Sequence, residues 1–136
     1  MNNSSSSQSW GPTILRVIVG IVFLVHGWQK LFVFGFSGVT GLFTQMGVPL
    51  PAVVAPIVSL VEFLGGAALI LGVGTRVAAL LLACDMIGAI VFVHFKAGFF
   101  MPKGYELALT ALAANLSLAV SGAGAASVDG LIAKKD

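Results

Sequence analysis

The sequence contains few charged residues and a single cysteine. Of its 136 residues, 9% are charged and 58% are hydrophobic. Soluble domains carry about 25% charged residues, so this chain cannot cover a water-facing surface, and a soluble enzyme of this size is excluded. The single Cys84 excludes an intrachain disulfide and a Cys-x-x-Cys metal or thiol motif. The seven basic residues are spread along the chain, so no nucleic-acid partner is expected.

Four long apolar stretches are present instead. A bilayer core about 30 Å thick needs roughly 20 apolar residues in a helix, and each stretch is close to that length. The connections are short, which forces neighbouring helices to run antiparallel. We therefore predict an all-α integral membrane protein, an antiparallel four-helix bundle spanning residues 12–122. Its predicted spans cover residues 12–33, 52–72, 76–95 and 105–122.

The segments outside these spans are small or polar. Residues 1–11 are rich in serine and lack the basic region of a secretory signal, so we predict a disordered tail before an uncleaved anchor. Residues 123–136 are predicted to form a flexible tail. Between the first two spans, Phe36, Val39 and Phe43 recur at helical spacing. This pattern favours a short interfacial helix, and a lid over the bundle is the alternative.

The basic residues give an expected orientation. With four spans, both termini lie on the same side of the membrane. Since positive residues mark the cytoplasmic face, and the terminal side has the larger number, we expect both termini to be cytoplasmic. The terminal side carries Arg16, Arg76, Lys134 and Lys135, and the opposite side carries Lys30, Lys96 and Lys103.

Several polar or ionisable residues fall within the predicted spans. A charge in the bilayer costs about 2.5 kcal/mol or more, so such residues are candidates for function. Counted along the helices at 1.5 Å per residue, Glu62, Asp85 and Asn115 all lie near the midplane. They can meet if all three face the bundle axis. The candidate ligand-binding residues are Arg16, His26, Lys30, Glu62, Asp85 and Asn115.

The first two spans each present one face of polar and glycine residues. Arg16, His26 and Lys30 share an arc of about 120° on the first span. Pairing Glu62 of the second span with Arg16 or His26 would offset the cost of burying both charges. We name Glu62, His26 and Arg16 as candidate catalytic residues; an ion pair that only fixes helix packing is the alternative.

The remaining polar residues have structural interpretations beside the functional one. Asp85 can be a protonated carboxyl bonded to a neighbour, and Asn115 can hold two helices together. Cys84 is interpreted as a small packing residue. The faces of His26 and His94 disfavour haem b, and the chain shows no metal-ligand spacing.

The order and spacing of these residues resemble the DoxX family of small four-span bacterial membrane proteins over residues 12–122. Three segments carry the resemblance: RVIVGIVFLVHGWQKLF, GLFTQMGVPLP and VEFLGGAALILGVGTRVAALLLACDM. The resemblance implies a bacterial inner-membrane location, a redox setting and a lipid quinone partner. The implied function is an auxiliary or quinone-interacting subunit of a membrane oxidoreductase system, with a link to oxidant or quinone resistance.

Quinone chemistry needs a proton donor beside the carbonyl oxygen and a positive group nearby. His26 with Arg16 or Lys30, opposite Glu62, could supply both. No electron carrier is encoded, so electrons have to come from an oxidoreductase partner or a bound cofactor. The alternatives are a non-enzymatic membrane anchor or assembly subunit and a small-molecule carrier. A homo-oligomer is expected because the glycine faces can pack between subunits.

Overall fold

The computed structural model describes residues 3–133, with side chains described from Trp10 onward. Within these residues, all the regular secondary structure is helical. Two π-helical segments, Gln29–Phe34 and Ile90–His94, continue the first and the fourth α-helix, and a 3-10 turn follows at Phe95–Ala97. The α-helices are α1 (Asn3–Trp28), α2 (Gly35–Met46), α3 (Pro51–Leu71), α4 (Thr75–Ala89), α5 (Glu106–Ser121) and α6 (Val128–Ala133).

Three helical stretches within the described residues are long and apolar enough to cross a membrane: Trp10–Met46, Pro51–Leu71 and Thr75–Ala97. The fourth predicted span coincides with α5, which is apolar but shorter. Its 16 residues make a helix about 24 Å long. Many outward-facing side chains of the long helices are large and apolar, such as Ile14 and Val77, which are 65% and 66% exposed. This surface is suited to lipid.

Glycines let α1 and α3 pack closely. α1 lies along α3, α4 along α5, and contacts between α3 and α4 and between α1 and α5 connect the two pairs. A Cβ atom on Gly27 would collide with the backbone of Phe63, and one on Gly66 would collide with the backbone of Leu24. The glycine faces therefore pack within one chain, which removes the sequence argument for using them between subunits. The core between the helices includes Phe23, Leu69, Leu82, Met86 and Leu118.

Both ends of the chain are more structured than the sequence predicts. α1 begins at Asn3, and Pro12 lies inside it, so residues 3–11 are helical rather than disordered. Serine is only modestly unfavourable in a helix, and extending an existing helix needs no new nucleation. Residues 123–133 are also ordered and include α6. Residues 1–2 and 134–136 of the two predicted tails lie outside the described residues.

The C-terminal segment is held against the turn between α3 and α4. Asp129 accepts hydrogen bonds from the backbone N–H groups of Gly74 (2.7 Å) and Thr75 (2.9 Å), and so caps α4. Its own N–H donates to the carbonyl of Gly72 at 2.9 Å. Burial acts to raise the pKa of Asp129. Hydrogen bonds from Thr75 and Gly74 and the positive charge of Arg16 outweigh it, so the pKa lies below its ordinary value.

The predicted short helix between the first two spans is present as α2. It begins at Gly35 (φ 71°) and ends at Met46, just before Gly47 (φ 78°); both glycines have a positive φ, which glycine adopts without strain. α2 packs against α3, and its Val39 is 1% exposed. The two glycines thus turn the chain sharply at both ends of α2 and bring the helix back against its neighbour.

Candidate functional site

A buried ion pair joins the first helical stretch to α3. The Nζ atom of Lys30 lies 2.7 Å from Oε2 of Glu62, and the two side chains are 19% and 6% exposed. Lys30 lies in the π-helical segment after α1, and Glu62 is in the middle of α3. Burying two opposite charges together avoids the larger cost of burying either one alone. The expected pairing of Glu62 with a base of the first span is therefore present, and the base is Lys30.

Asp85 of α4 is the third member of this cluster. Its carboxyl group lies within hydrogen-bonding range of the Glu62 carboxyl and interacts electrostatically with Lys30. The Oδ2 atom of Asp85 is buried and has no hydrogen-bond partner in the described part of the chain. Three successive helical stretches therefore each contribute one ionisable group to a common centre. We call Lys30, Glu62 and Asp85 the polar triad.

A cavity of about 470 Å³ adjoins the polar triad. It lies between α2, α3 and α4, and its size is in the range of small-molecule sites, roughly 300–1,000 Å³. The triad residues and His94 line it, and most of the remaining wall is apolar. The apolar wall includes the rings of Phe34, Phe43 and Phe92 and the side chains of Val39, Met46 and Val58.

Helix α2 covers one side of this cavity. Val39, Leu42, Phe43 and Met46, which follow one another at helical spacing, all line it. The lid, which was the alternative to a purely interfacial helix, stays a prediction. The apolar repeat that predicted α2 therefore marks the wall of a cavity.

Cys84 and His94 also line the cavity. The sequence assigned neither of them a functional role. Cys84 is exposed and lies in the cavity wall beside Asp85, so it is not a packing residue. His94 donates from Nδ1 to the carbonyl of Lys103 at 2.9 Å. The sequence signal for Cys84 was its position next to an acidic residue within a span.

Arg16 is buried away from the triad. Its guanidinium donates to the carbonyls of Leu69 (2.7 Å) and Ile70 (2.8 Å) at the end of α3. It also donates to the carbonyls of Ala123 (2.9 Å) and Ala126 in the C-terminal segment. The predicted pairing with Glu62 is wrong. The last carbonyls of α3 have no partner within the helix, and antiparallel packing places Arg16 beside them.

His26 does not take part in the site. It is exposed on α1 and does not line the cavity. The next residue, Gly27, is buried against Phe63 of α3, and one residue along a helix is a rotation of about 100°. His26 therefore points away from α3, and Lys30, three residues beyond Gly27, returns to the buried face. The expected pairing of His26 with Glu62 is wrong for this reason.

Asn115 is fully buried in α5 and is not among the cavity-lining residues. Its Nδ2 atom donates to the carbonyl of Ala111 at 2.9 Å, and its Oδ1 atom has no partner among the residues that the structure describes. The bond stays within α5, so it does not join two helices. Of the six predicted ligand-binding residues, the structure thus brings together Lys30, Glu62 and Asp85.

Comparisons with known proteins cover the part of the chain that contains the polar triad. The DoxX family profile matches residues 11–95, which include the whole polar triad. The chain is 34% identical to CatD of Bacillus subtilis, which is named as a candidate oxidoreductase, over 91% of this chain and 88% of CatD. No solved structure matches the chain significantly.

Two other relatives are described as membrane proteins. The inner membrane protein YqjF of Escherichia coli is 34% identical over 92% of this chain and 94% of its own length. A membrane protein of Mycobacterium tuberculosis is 34% identical over 96% of this chain and 93% of its own length. With a family match over more than half its length and relatives that cover nearly all of it, this chain is a membrane protein that belongs to the DoxX family.

Proposed function

We propose that the protein is a four-span component of the bacterial inner membrane that binds a quinone-type ring in the cavity beside the polar triad. In this proposal α5 is the fourth span of an antiparallel bundle, and both termini face the cytoplasm. The observation that carries the proposal is a partly buried Lys30–Glu62 pair in the wall of a mainly apolar cavity. The protein acts as an auxiliary, quinone-interacting subunit of a membrane oxidoreductase system.

The chemistry of the cavity suits a flat ring with oxygen substituents. The rings of Phe34, Phe43 and Phe92 offer apolar surface to the body of the ligand. The ammonium of Lys30 can donate to a ring oxygen and stabilise negative charge that develops on it. Glu62 and Asp85 are groups that can exchange protons. Of the two positive groups that the sequence offered for this role, Arg16 and Lys30, the proposal uses Lys30, and Glu62 and Asp85 take the proton-donor role expected of His26.

The chain's part in the reaction is to bind the ring, orient its oxygen and exchange protons with it. Conversion of a quinone to a quinol also takes two electrons, which in this proposal come from a redox cofactor of a partner oxidoreductase. The name of the relative CatD supports a redox setting of this kind.

Cys84 provides a direct test of ligand binding. It is the only cysteine in the sequence, and it is exposed in the cavity wall. We would label purified protein with N-ethylmaleimide in the presence of tetramethyl-benzoquinone, whose ring has no free position for addition of a thiol. The quinone should slow labelling of Cys84 and raise the unfolding temperature, because a ligand that binds only the folded state stabilises it.

Two variants separate this function from its alternatives. Lys30→Met should abolish the protection, and Lys96→Met, which removes an exposed lysine outside the cavity, should leave it intact. Unchanged labelling of the wild type at every quinone concentration would contradict the proposal. If Glu62→Gln then disturbed only folding or copurification with a partner, a non-enzymatic anchor or assembly role would be the better account.

A further inference from the structure

The protonation of the polar triad follows from its geometry. The buried Oδ2 atom of Asp85 has no hydrogen-bond partner among the described residues, and a buried carboxylate without a donor or a counter-ion of its own is costly, so we assign the neutral acid form to Asp85. The ammonium of Lys30 lies 2.7 Å from Oε2 of Glu62, so these two groups form one ion pair with one positive and one negative charge. One positive group, one negative group and one neutral acid together give a triad with no net charge.

No other charged group enters this cluster from the helices around it in the described residues. α2, which covers the cavity, contains no titratable residue, and α5 contributes the neutral Asn115 at its buried face. His94 lines the cavity, but it lies nine positions after Asp85, about 13 Å along the helix axis. It is engaged with the Lys103 carbonyl. The charge felt by a ligand at the triad is therefore that of the triad itself.

We infer that this cavity selects an uncharged ring compound carrying a carbonyl or hydroxyl oxygen, and rejects anionic rings of the same shape. This inference rests on the proposed function and names the ligand class of its site. A carbonyl oxygen can accept a hydrogen bond from Lys30, and a hydroxyl can donate one to the buried Oδ2 of Asp85, which has no partner among the described residues. A carboxylate would bring an unbalanced charge into an apolar cavity whose own charges already cancel.

Three ligands of nearly equal shape test this selection: 2-acetylnaphthalene, 2-naphthoate and 2-naphthylmethylammonium, which are neutral, negative and positive. Binding is measured by protection of Cys84 from N-ethylmaleimide and by the shift in unfolding temperature of the wild-type protein. The ketone should protect at a concentration lower by about tenfold or more than either ion, since a difference of 1.4 kcal/mol is tenfold in affinity.

Substitutions in the triad should change the preference in a defined direction. Asp85→Asn replaces a neutral acid with a neutral amide, so the ketone should remain the preferred ligand. Glu62→Gln with Asp85→Asn leaves Lys30 as the one charged member, and the preference should switch to 2-naphthoate. The unfolding temperature of each variant without ligand shows whether it is folded, and the wild-type order of affinities tests the inference without any variant.

The possible outcomes separate the two proposals. Strongest binding of the ammonium compound would show that both carboxyls are ionised and would overturn the neutral triad while leaving a ring-binding cavity. Equal binding of the ketone and 2-naphthoate would likewise overturn the selection but not the site. If the quinone and all three probes failed to protect Cys84, both the proposed function and the ligand class would be contradicted.

Discussion

Lys30 and Glu62 are 32 positions apart in the sequence, and their charged atoms lie 2.7 Å apart in the structure. The pair connects the π-helical segment after α1 to the middle of α3. The same Glu62 carboxyl lies beside Asp85 of α4. The Lys30–Glu62 ion pair thus positions the carboxyl of Glu62 and places the ammonium of Lys30 in the cavity wall.

The stability of this pair can be measured by removing one charge and then both. Lys30→Met leaves Glu62 without its partner and should reduce the free energy of unfolding by about 2–3 kcal/mol. Lys30→Met with Glu62→Gln should recover most of that loss, because neither charge is then buried alone. Thermal or denaturant unfolding in detergent measures the loss in the single variant and its recovery in the double variant. Lys96→Met is the control for loss of an exposed lysine. A double variant no more stable than the single one would contradict this prediction.

Arg16 should hold the C-terminal segment in place. Arg16→Leu removes the donors to two carbonyls of α3 and two of the C-terminal segment. We expect a loss of about 3 kcal/mol, since buried acceptors then have no partner. Arg16→Lys should recover only part of it, because an ammonium cannot reproduce the planar fork of five donors. Hydrogen exchange should increase in residues 123–133; unchanged exchange there would argue against the role of Arg16.

Asp129 should make the cap of α4 sensitive to acid. Its pKa in the folded protein lies below the ordinary value of 3.8, so its stabilising contribution is present above that ordinary value. The contribution is lost as the pH falls through the lower folded pKa. Amide exchange at Gly74 and Thr75 should therefore increase in strong acid. Asp129→Asn should have the faster exchange already at neutral pH and a weaker dependence on pH, and identical profiles for the two proteins would refute the assignment.

The close contact between α1 and α3 should tolerate no side chain at Gly27. Gly27→Ala places a Cβ atom against the backbone of Phe63, so the helices must separate or bend. Overpacking of this kind costs about 1–3 kcal/mol. Gly41→Ala in α2 is the matched control, because nothing lies within 4 Å of its Cβ position. There the change should be neutral or stabilise α2, since alanine loses less conformational entropy than glycine in a helix. The unfolding temperature should therefore fall for Gly27→Ala and stay unchanged or rise for Gly41→Ala.

The sequence alone determined the long helices, their apolar character and the similar depth of two acidic residues. Apolar composition and length required helices suited to lipid, and axial counting placed Glu62 and Asp85 at similar depth. These inferences depend on distances along a chain, which a helix converts directly into depth. The α2 helix was also predictable, because its apolar spacing is local.

The partners of each charge were decided by the tertiary structure. An arc of about 120° on the first predicted span includes Arg16, His26 and Lys30, but packing against α3 uses only part of that arc. Gly27 sets the rotation of α1, so His26 faces outward while Lys30 meets Glu62. Arg16 lies beside unpaired carbonyls at the end of α3, and the C-terminal segment folds over it. Helical periodicity fixes the angle between residues of one helix, whereas the choice of partner depends on how two helices are rotated and offset against each other.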